Sequence, residues 1–389
     1  MPEIKKKNIL IVAGEASGDL HGAALVRAIK GLDQDVTITG IGGKKMEDAG
    51  VNLIAHSSDL AVVGLTEVFS RLQVILGAHG HMRSLLKNSR PDLLILIDFP
   101  DFNISLARTA RRCSVPVLYY ISPQVWAWRR GRVKKIARRV DKMAVILPFE
   151  KEFYRKAGAD IDVEYVGHPL MDFVPDNLDR DHISGELGLC SGGPVLGLVP
   201  GSRTEEIKNL LPDMIGAAEI LSSRYNGMQC VLPLAPTISP ELIQSFVAKT
   251  KLKIAICRND IYTALRVCDL ALVASGTATL ETALMGVPMV VAYRISPLSY
   301  TIGKMVIHVP HVSIVNLIAG EEIVPEILQD DVTPEALAAR ASTIIDDEGL
   351  RNEMIMKMGK VRDSLGGKGA SERTAVIAMD MINNNDRKE

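Results

Sequence analysis

Short apolar runs recur along the chain, and most intervals between them carry apolar residues at helical spacing. In the first half the runs fall at Asn8–Ala13, Val36–Thr39, Val51–Ala55, Leu93–Ile97, Val117–Ile121, Met143–Leu147 and Val163–Val166. They are continuous rather than alternating, as in a parallel sheet covered on both faces. The first run is followed by Gly14–Asp19 and by a helical pattern from Leu20 to Leu32. Strand, glycine-bearing loop and helix open a doubly wound α/β domain, placed at about residues 1–170. A second series begins at Val195–Val199 and continues at Gln229–Leu234, Ile254–Cys257, Leu270–Ala274 and Met289–Ala292, giving a second domain at about 190–365. Between the two, residues 172–194 mix charge, proline and glycine and read as a linker. Ala336–Asp346 and Leu350–Ser364 are helical, and within 366–389 a last helix near Ala370–Asn383 is able to pack back on the first domain. The expected fold class is therefore α/β, with two Rossmann-like domains facing each other across a cleft. Ligands in such sheets bind at the carboxyl ends of strands.

A length of 389 residues suits two cores rather than one. The net charge of −1 supplies no global field toward nucleic acid or membrane. Cys113, Cys190, Cys230, Cys257 and Cys268 show no C-x-x-C spacing and read as free thiols in a reducing compartment. Neither a signal-peptide pattern nor an apolar stretch of the ~18–20 residues needed for a spanning helix is present. The expectation is a soluble chain, or one bound to a membrane surface.

Candidate chemistry gathers where strands end. Ala274–Glu281 (ASGTATLE) follows an apolar run and opens a helix over Thr277–Met285. Its free backbone N–H groups, with the hydroxyls of Ser275, Thr277 and Thr279, suit a phosphate or diphosphate. Glu281, one helical turn beyond Thr277, is placed to accept from a ribose diol. The competing reading is an ordinary capped helix with a surface glutamate. Leu198–Arg203 (LVPGSR) repeats the logic, with Arg203 offering a fork of donors; there the alternative is a helix start with an exposed arginine. Asp98, in Ile95–Asn103 (ILIDFPDFN), ends a buried strand beside Phe99 and Phe102, an environment that raises a carboxylate pKa and fits a general base. Asp101 or Asn103 fits a helix cap better than Asp98 does. The pairs Asp33/Asp35 and Asp160/Asp162 precede strands rather than follow them. No metal site is expected from them or from any His/Cys cluster.

The other strong feature is basic. Trp126 and Trp128 adjoin Arg129, Arg130, Arg132, Lys134, Lys135, Arg138 and Arg139. A solvated helix face, a nucleic-acid contact and a seat on an anionic membrane all fit, and rings beside cations favour the lipid interface. Leu60–Leu86 reads either as a core helix or as an apolar acceptor surface. His21, His168, His308 and His311 read as packed side chains. Asn316, polar in an apolar run, must bind either backbone or a base or ribose edge.

Taken together, Ala13–Asp19 (AGEASGD), Asp98–Asn103 (DFPDFN), Ser122–Trp128 (SPQVWAW), Leu147–Glu150 (LPFE), Pro200–Arg203 (PGSR), Ala274–Glu281 and Asn316–Leu317 resemble the motifs of the lipid-A-disaccharide synthase family, in that family's order and over nearly the whole chain. Gln124 stands where serine is common in that motif. The resemblance implies a GT-B glycosyltransferase of Gram-negative bacteria, peripheral on the cytoplasmic face of the inner membrane. It would join UDP-2,3-diacylglucosamine to 2,3-diacylglucosamine 1-phosphate (lipid X), giving the β-1,6-linked disaccharide and UDP without a metal or other cofactor. It assigns Asp98 as base toward the acceptor 6-hydroxyl. Arg203, Ser202 and the backbone at Ser275, Gly276 and Thr277 would hold the leaving diphosphate, and Glu281 and Asn316 the uridine half. Glu15, Ser17 and Asp19 would line the acceptor side, with Trp126, Trp128, Arg129, Arg130 and Arg132 at the lipid surface. No nucleic acid is implied. A homodimer is compatible, though no residue pattern marks an interface. The rivals are a UDP-sugar 2-epimerase-like enzyme and a non-catalytic lipid or nucleotide-sugar binder.

Overall fold

The computed structural model describes residues 6–60, 68–127, 130–190, 192–258, 260–295 and 310–386. The chain divides into two compact units, Met1–Asp172 with Leu365–Glu389, and Phe173–Ser364.

The first unit is built on β1 (Asn8–Ala13), β2 (Thr37–Gly42), β3 (Asn52–His56), β4 (Leu93–Ile97), β5 (Val117–Tyr120), β6 (Lys142–Val145) and β7 (Asp162–Tyr165). They form one parallel sheet in the order β3-β2-β1-β4-β5-β6-β7. Leu93, Leu94, Ile95, Leu96 and Ile97 are all fully buried, which is why β4 reads as an unbroken apolar run. One face packs Leu10, Val12, Leu94, Leu96, Tyr119 and Met143 into a core shared with Met82, Leu86, Leu106 and Ile136. The helix Ala370–Asp386 lies against the helix Ala16–Leu32 in this same unit. Asp172 ties down its start, accepting from the Gly369 N–H at 2.6 Å and the Ser371 hydroxyl at 3.3 Å.

The second unit carries β8 (Val195–Val199), β9 (Gln229–Pro233), β10 (Ile254–Cys257), β11 (Leu270–Ala274), β12 (Met289–Tyr293) and β13 (Glu326–Leu328). Its parallel order is β10-β9-β8-β11-β12-β13. In each sheet the chain winds one way from its first strand and then reverses. The reversal falls between β1 and β4 in one unit and between β8 and β11 in the other, and it is there that loops part and leave a crevice.

Three local expectations change. β13 is added to the expected strands; its three residues, with one buried side chain (Ile327), form no apolar run. The first helix begins at Ala16, so Ser17, Gly18 and Asp19 lie in its first turn rather than in a loop. The stretch read as a linker holds the helix Arg180–Glu186, capped by Asp179, and is pinned within the second unit by Arg180–Asp269 at 2.7 Å.

Candidate active site

In the first unit the candidate acid stands on a strained elbow. Asp98 and Phe99 both have φ near 45°, a left-handed conformation that side-chain-bearing residues adopt only at a cost of roughly 1–3 kcal/mol each. The surroundings over-determine it. Asn103, wholly buried, donates Nδ2–H to the carbonyls of Ile97 at 3.2 Å and Asp98 at 2.7 Å. The Tyr119 hydroxyl donates to the same Asp98 carbonyl at 2.5 Å. The Phe99 ring stacks on Phe102 and lies over Gly14, where a Cβ would come within 2.3 Å of it. Glycine is therefore required at the end of β1 for the turn at the end of β4 to form. Neither Asp101 nor Asn103 caps the following helix, Pro100–Arg112; Phe99 occupies that position and Pro100 fills the first turn. The carboxylate of Asp98, at the margin of the core, is not used as a cap.

Glu15 and Ser17 are exposed beside this elbow, since β1 and β4 are neighbours. Asp19 is not available to a ligand. It is buried, and its carboxylate accepts from the N–H groups of Gly43 at 2.7 Å, Lys45 at 3.1 Å and Met46 at 3.0 Å, capping the helix Lys44–Asp48. The acceptor-side role expected of Asp19 gives way to a structural one, because a first-turn residue with its side chain turned inward meets the next crossover.

In the second unit the two strand ends at the reversal are adjacent, β8 pairing with β11. After β8, Gly201 takes φ +107°, and the Glu206 carboxylate sits over it, accepting the N–H groups of Ser202 at 3.0 Å and Arg203 at 3.2 Å. A Cβ on Gly201 would come within 2.2 Å of that carboxylate. The backbone donors expected to hold phosphate at this loop are thus engaged by Glu206. The Arg203 guanidinium remains largely exposed, 3.6 Å from Glu206. After β11, Ser275 donates its hydroxyl to the Val312 carbonyl at 3.0 Å. Gly276, φ +155°, precedes the helix Thr277–Leu284, with open space where a side chain would stand. Thr277 is exposed at the start of this helix, and the Thr279 N–H is already taken by the Gly276 carbonyl at 3.2 Å. Thr279 turns inward to the Gly276 carbonyl at 2.8 Å. Glu281 is held by burial at about 7, against a usual 4.5, with the Tyr262 hydroxyl offsetting part of the rise.

Asn316 is a correction. It is wholly buried, its Nδ2 donating to the Val324 carbonyl and to Glu326, both at 2.8 Å, while its Oδ1 accepts from Ile323 at 2.9 Å and Val324 at 3.0 Å. No amide capacity is left for a base or ribose edge. Glu326 in turn accepts the N–H groups of Val312 and Ser313, and Val312 receives the Ser275 hydroxyl. Asn316 braces the segment on which Ser275 rests.

The lipid-surface set is also revised. Trp126 is buried and packs edge-on against Phe149, with ring centroids 5.1 Å apart, so it cannot lie at an interface. Arg132 pairs with Asp101 at 2.6 Å. Trp128 and Arg129 lie outside the described residues, and of Arg130 only the backbone is described, in the short 3-10 turn Arg130–Arg132. Helix Val133–Ala137 is too short to carry the whole basic run on one face. His308 and part of Leu60–Leu86 also lie outside the described residues. Val74 and Leu76 on the helix Val68–Asn88 are exposed, whereas Met82 and Leu86 are core. His21 and His168 are buried, and that burial lowers them to about 4 and about 3. Among the described residues no group of three or more His, Cys, Asp or Glu could hold a metal ion.

Glu150 is an acid with no expected role. It is buried at the carboxyl end of β6, accepts from Ile146 at 3.1 Å and Leu147 at 2.9 Å, and is pushed by burial to about 7. A carboxylate five residues past a buried strand was the available signal.

A lipid-A-disaccharide synthase of Geobacter metallireducens is 48% identical over 376 residues, 97% of each chain. Among solved structures, the calicheamicin glycosyltransferase CalG4 superimposes with a TM-score of 0.63 at 14% identity, covering 98% of this chain and 99% of its own. A UDP-GlcNAc 2-epimerase of Neisseria meningitidis gives 0.63 at 11%, covering 96% and 100%. These likenesses show a GT-B fold, which transferases and epimerases share. The family model described as lipid-A-disaccharide synthetase matches residues 9–380, and by that match this chain belongs to the lipid-A-disaccharide synthase family.

Proposed function

We propose that the acceptor 6-hydroxyl attacks the anomeric carbon of UDP-2,3-diacylglucosamine while Asp98 takes its proton. The bond from that carbon to the UDP oxygen breaks, and configuration inverts. The enzyme is a glycosyltransferase of lipid A biosynthesis, and the product is the β-1,6-linked disaccharide 1-phosphate with UDP as leaving group. The observation that carries the assignment of roles is the strained Asp98–Phe99 elbow at the reversal point of the first sheet. It sets an acidic residue directly after the buried strand β4, in a left-handed turn fixed by Asn103 and Tyr119.

Charge grows on the departing diphosphate. Arg203, the Ser202 hydroxyl and the first-turn N–H groups at Gly276 and Thr277 answer it, without a metal ion. Because Glu206 engages the N–H groups of Ser202 and Arg203, this loop contributes through its side chains. Glu281 is assigned to the ribose hydroxyls. Glu15 and Ser17 are assigned to the acceptor. Both substrates are diacylated, so the chain works as a peripheral protein at the inner face of the inner membrane; no described helix is long and apolar enough to cross one. The exposed Val74 and Leu76 support an apolar contact there.

The test is incubation of the purified protein with UDP-2,3-diacylglucosamine and 2,3-diacylglucosamine 1-phosphate, with product mass as readout and EDTA in a parallel arm. Disaccharide formation undiminished by EDTA supports the reading. Formation only with added divalent cation overturns the metal-free step, and an epimerised UDP-sugar overturns the transfer.

A further inference from the structure

A small pocket of about 160 Å³ opens on the first unit between the helix Pro100–Arg112 and the segment Arg130–Arg139. Arg108, Arg132, Lys135 and Arg139 line it together with Ser105 and a single carboxylate, Asp101. Arg132 is matched by Asp101. Arg139 gives one N–H to the Ile104 carbonyl at 2.9 Å and, among the described residues, pairs with no acid. Among the described residues neither Arg108 nor Lys135 has a carboxylate partner. Burial, and then repulsion from Arg108 and Arg112, depresses Arg139 below its ordinary value. Cations held this close, with one acid among them, leave a net positive hollow whose repulsion an anion would relieve.

We infer that this pocket binds a phosphate monoester, and that its occupant is the anomeric phosphate of the acceptor sugar. Two guanidinium forks, an ammonium and the Ser105 hydroxyl supply the planar and point donors that phosphate oxygens take. Such a group is close to a dianion at neutral pH, its second pKa being about 6. Placement favours the acceptor. The pocket occupies the first turns of the helix that follows the Asp98 elbow, on the order of 10 Å along the chain axis from it. The 6-hydroxyl to be deprotonated and the anomeric phosphate are at opposite ends of one sugar, so a base and a phosphate seat separated on one rigid unit would fix that sugar's direction. The inference rests on the transferase reading for its occupant, while the anion site itself does not.

The experiment uses the full chain and the double variant Arg108→Ala/Lys135→Ala; both side chains are exposed, which spares the fold. Glucosamine 1-phosphate, the acceptor head group without acyl chains, serves as a soluble probe read by phosphorus NMR line broadening. Expected are weaker probe binding and a KM for the acceptor raised about tenfold or more, with the KM for the UDP-sugar and the melting temperature unchanged. Unchanged probe binding together with unchanged acceptor KM overturns the inference. Co-sedimentation with phosphatidylglycerol vesicles forms the second arm. If vesicle binding falls while acceptor KM holds, the pocket takes a phospholipid head group and the acceptor assignment is overturned. Failure of the transferase reading shows separately, as a parent protein that makes no disaccharide yet still broadens the probe.

Discussion

The hydroxyl of Tyr119 donates to the main-chain carbonyl of Asp98 across 2.5 Å, beside the second donor that Asn103 supplies to the same oxygen. β5 thereby holds the turn at the end of β4 in its left-handed conformation. Replacing Tyr119 with Phe keeps the ring and removes one donor. Stability should fall by about 1 kcal/mol. If the elbow positions the base, kcat should fall while both KM values stay within about twofold. A variant that melts lower yet turns over at the parental rate would show that Asn103 suffices.

Removing the carboxylate tests the base directly. Asp98→Asn keeps shape and should lower kcat by about 10²–10⁴, the usual contribution of a positioned general base. Rapid quench of UDP release is the measurement, and parental turnover would remove Asp98 from the mechanism. Arg203→Ala should cost about 10²–10³, because it withdraws a donor from the leaving group.

Glu150 gives the stability of the first unit a pH dependence. Its ordinary value of 4.5 is raised by burial to about 7, so the folded state binds a proton there that the unfolded state releases. The contribution is fully present below about pH 4.5 and is lost as pH rises through about 7. The difference is of order 3 kcal/mol. Melting temperature should therefore fall between pH 5 and 8 by more in the parent than in Glu150→Gln, whose amide carries no charge to bury. Parallel melting curves across that range would show that the carboxyl is ionised at no cost.

For Asn316 two accounts separate cleanly. Asn316→Ala strips partners from Ile323, Val324 and Glu326. Buried groups so exposed to loss cost about 1–3 kcal/mol each. A bracing role requires a large drop in melting temperature, with UDP affinity reduced as the Ser275 segment loosens. Weaker UDP binding in a protein that melts like the parent would instead restore direct contact between this amide and the nucleotide.

Much of this was legible in residue order because parallel strands buried on both faces leave unbroken apolar runs. β1, β4, β8, β10 and β11 have the bounds their runs suggested. Strand ends are likewise visible, so Asp98, Arg203 and Ser275 could be singled out. What sequence could not supply was the direction of a side chain. Asp19 and Asn316 carry the polar groups a substrate would want, yet both turn inward to cap or brace backbone that comes from elsewhere in the chain. Their partners are 27 and 7 residues away and lie outside the helix that carries each of them, which no local pattern encodes. Tyr119 and Gly14 were hidden for the same reason, since their roles exist only once β1, β4 and β5 are paired.

Trp126 illustrates how the same blindness affects a surface. A tryptophan next to a run of cations suggests an interfacial anchor, but this ring is 5% exposed and packs against Phe149 at an interplanar angle of 88°. Its indole also neighbours the Glu150 carboxyl, where it helps to offset the rise caused by burial. Two consequences follow from that position. Trp126→Ala should destabilise the first unit by about 3–5 kcal/mol, the range for emptying an aromatic core site. Trp126→Phe, which preserves most of the packing, should fold and should bind phosphatidylglycerol vesicles as the parent does, because the ring it replaces never reaches lipid. Co-sedimentation of that variant decides the matter: a folded Trp126→Phe protein that loses vesicle binding would mean that the loop turns this side chain outward at a membrane, and the buried ring would then be one of two states.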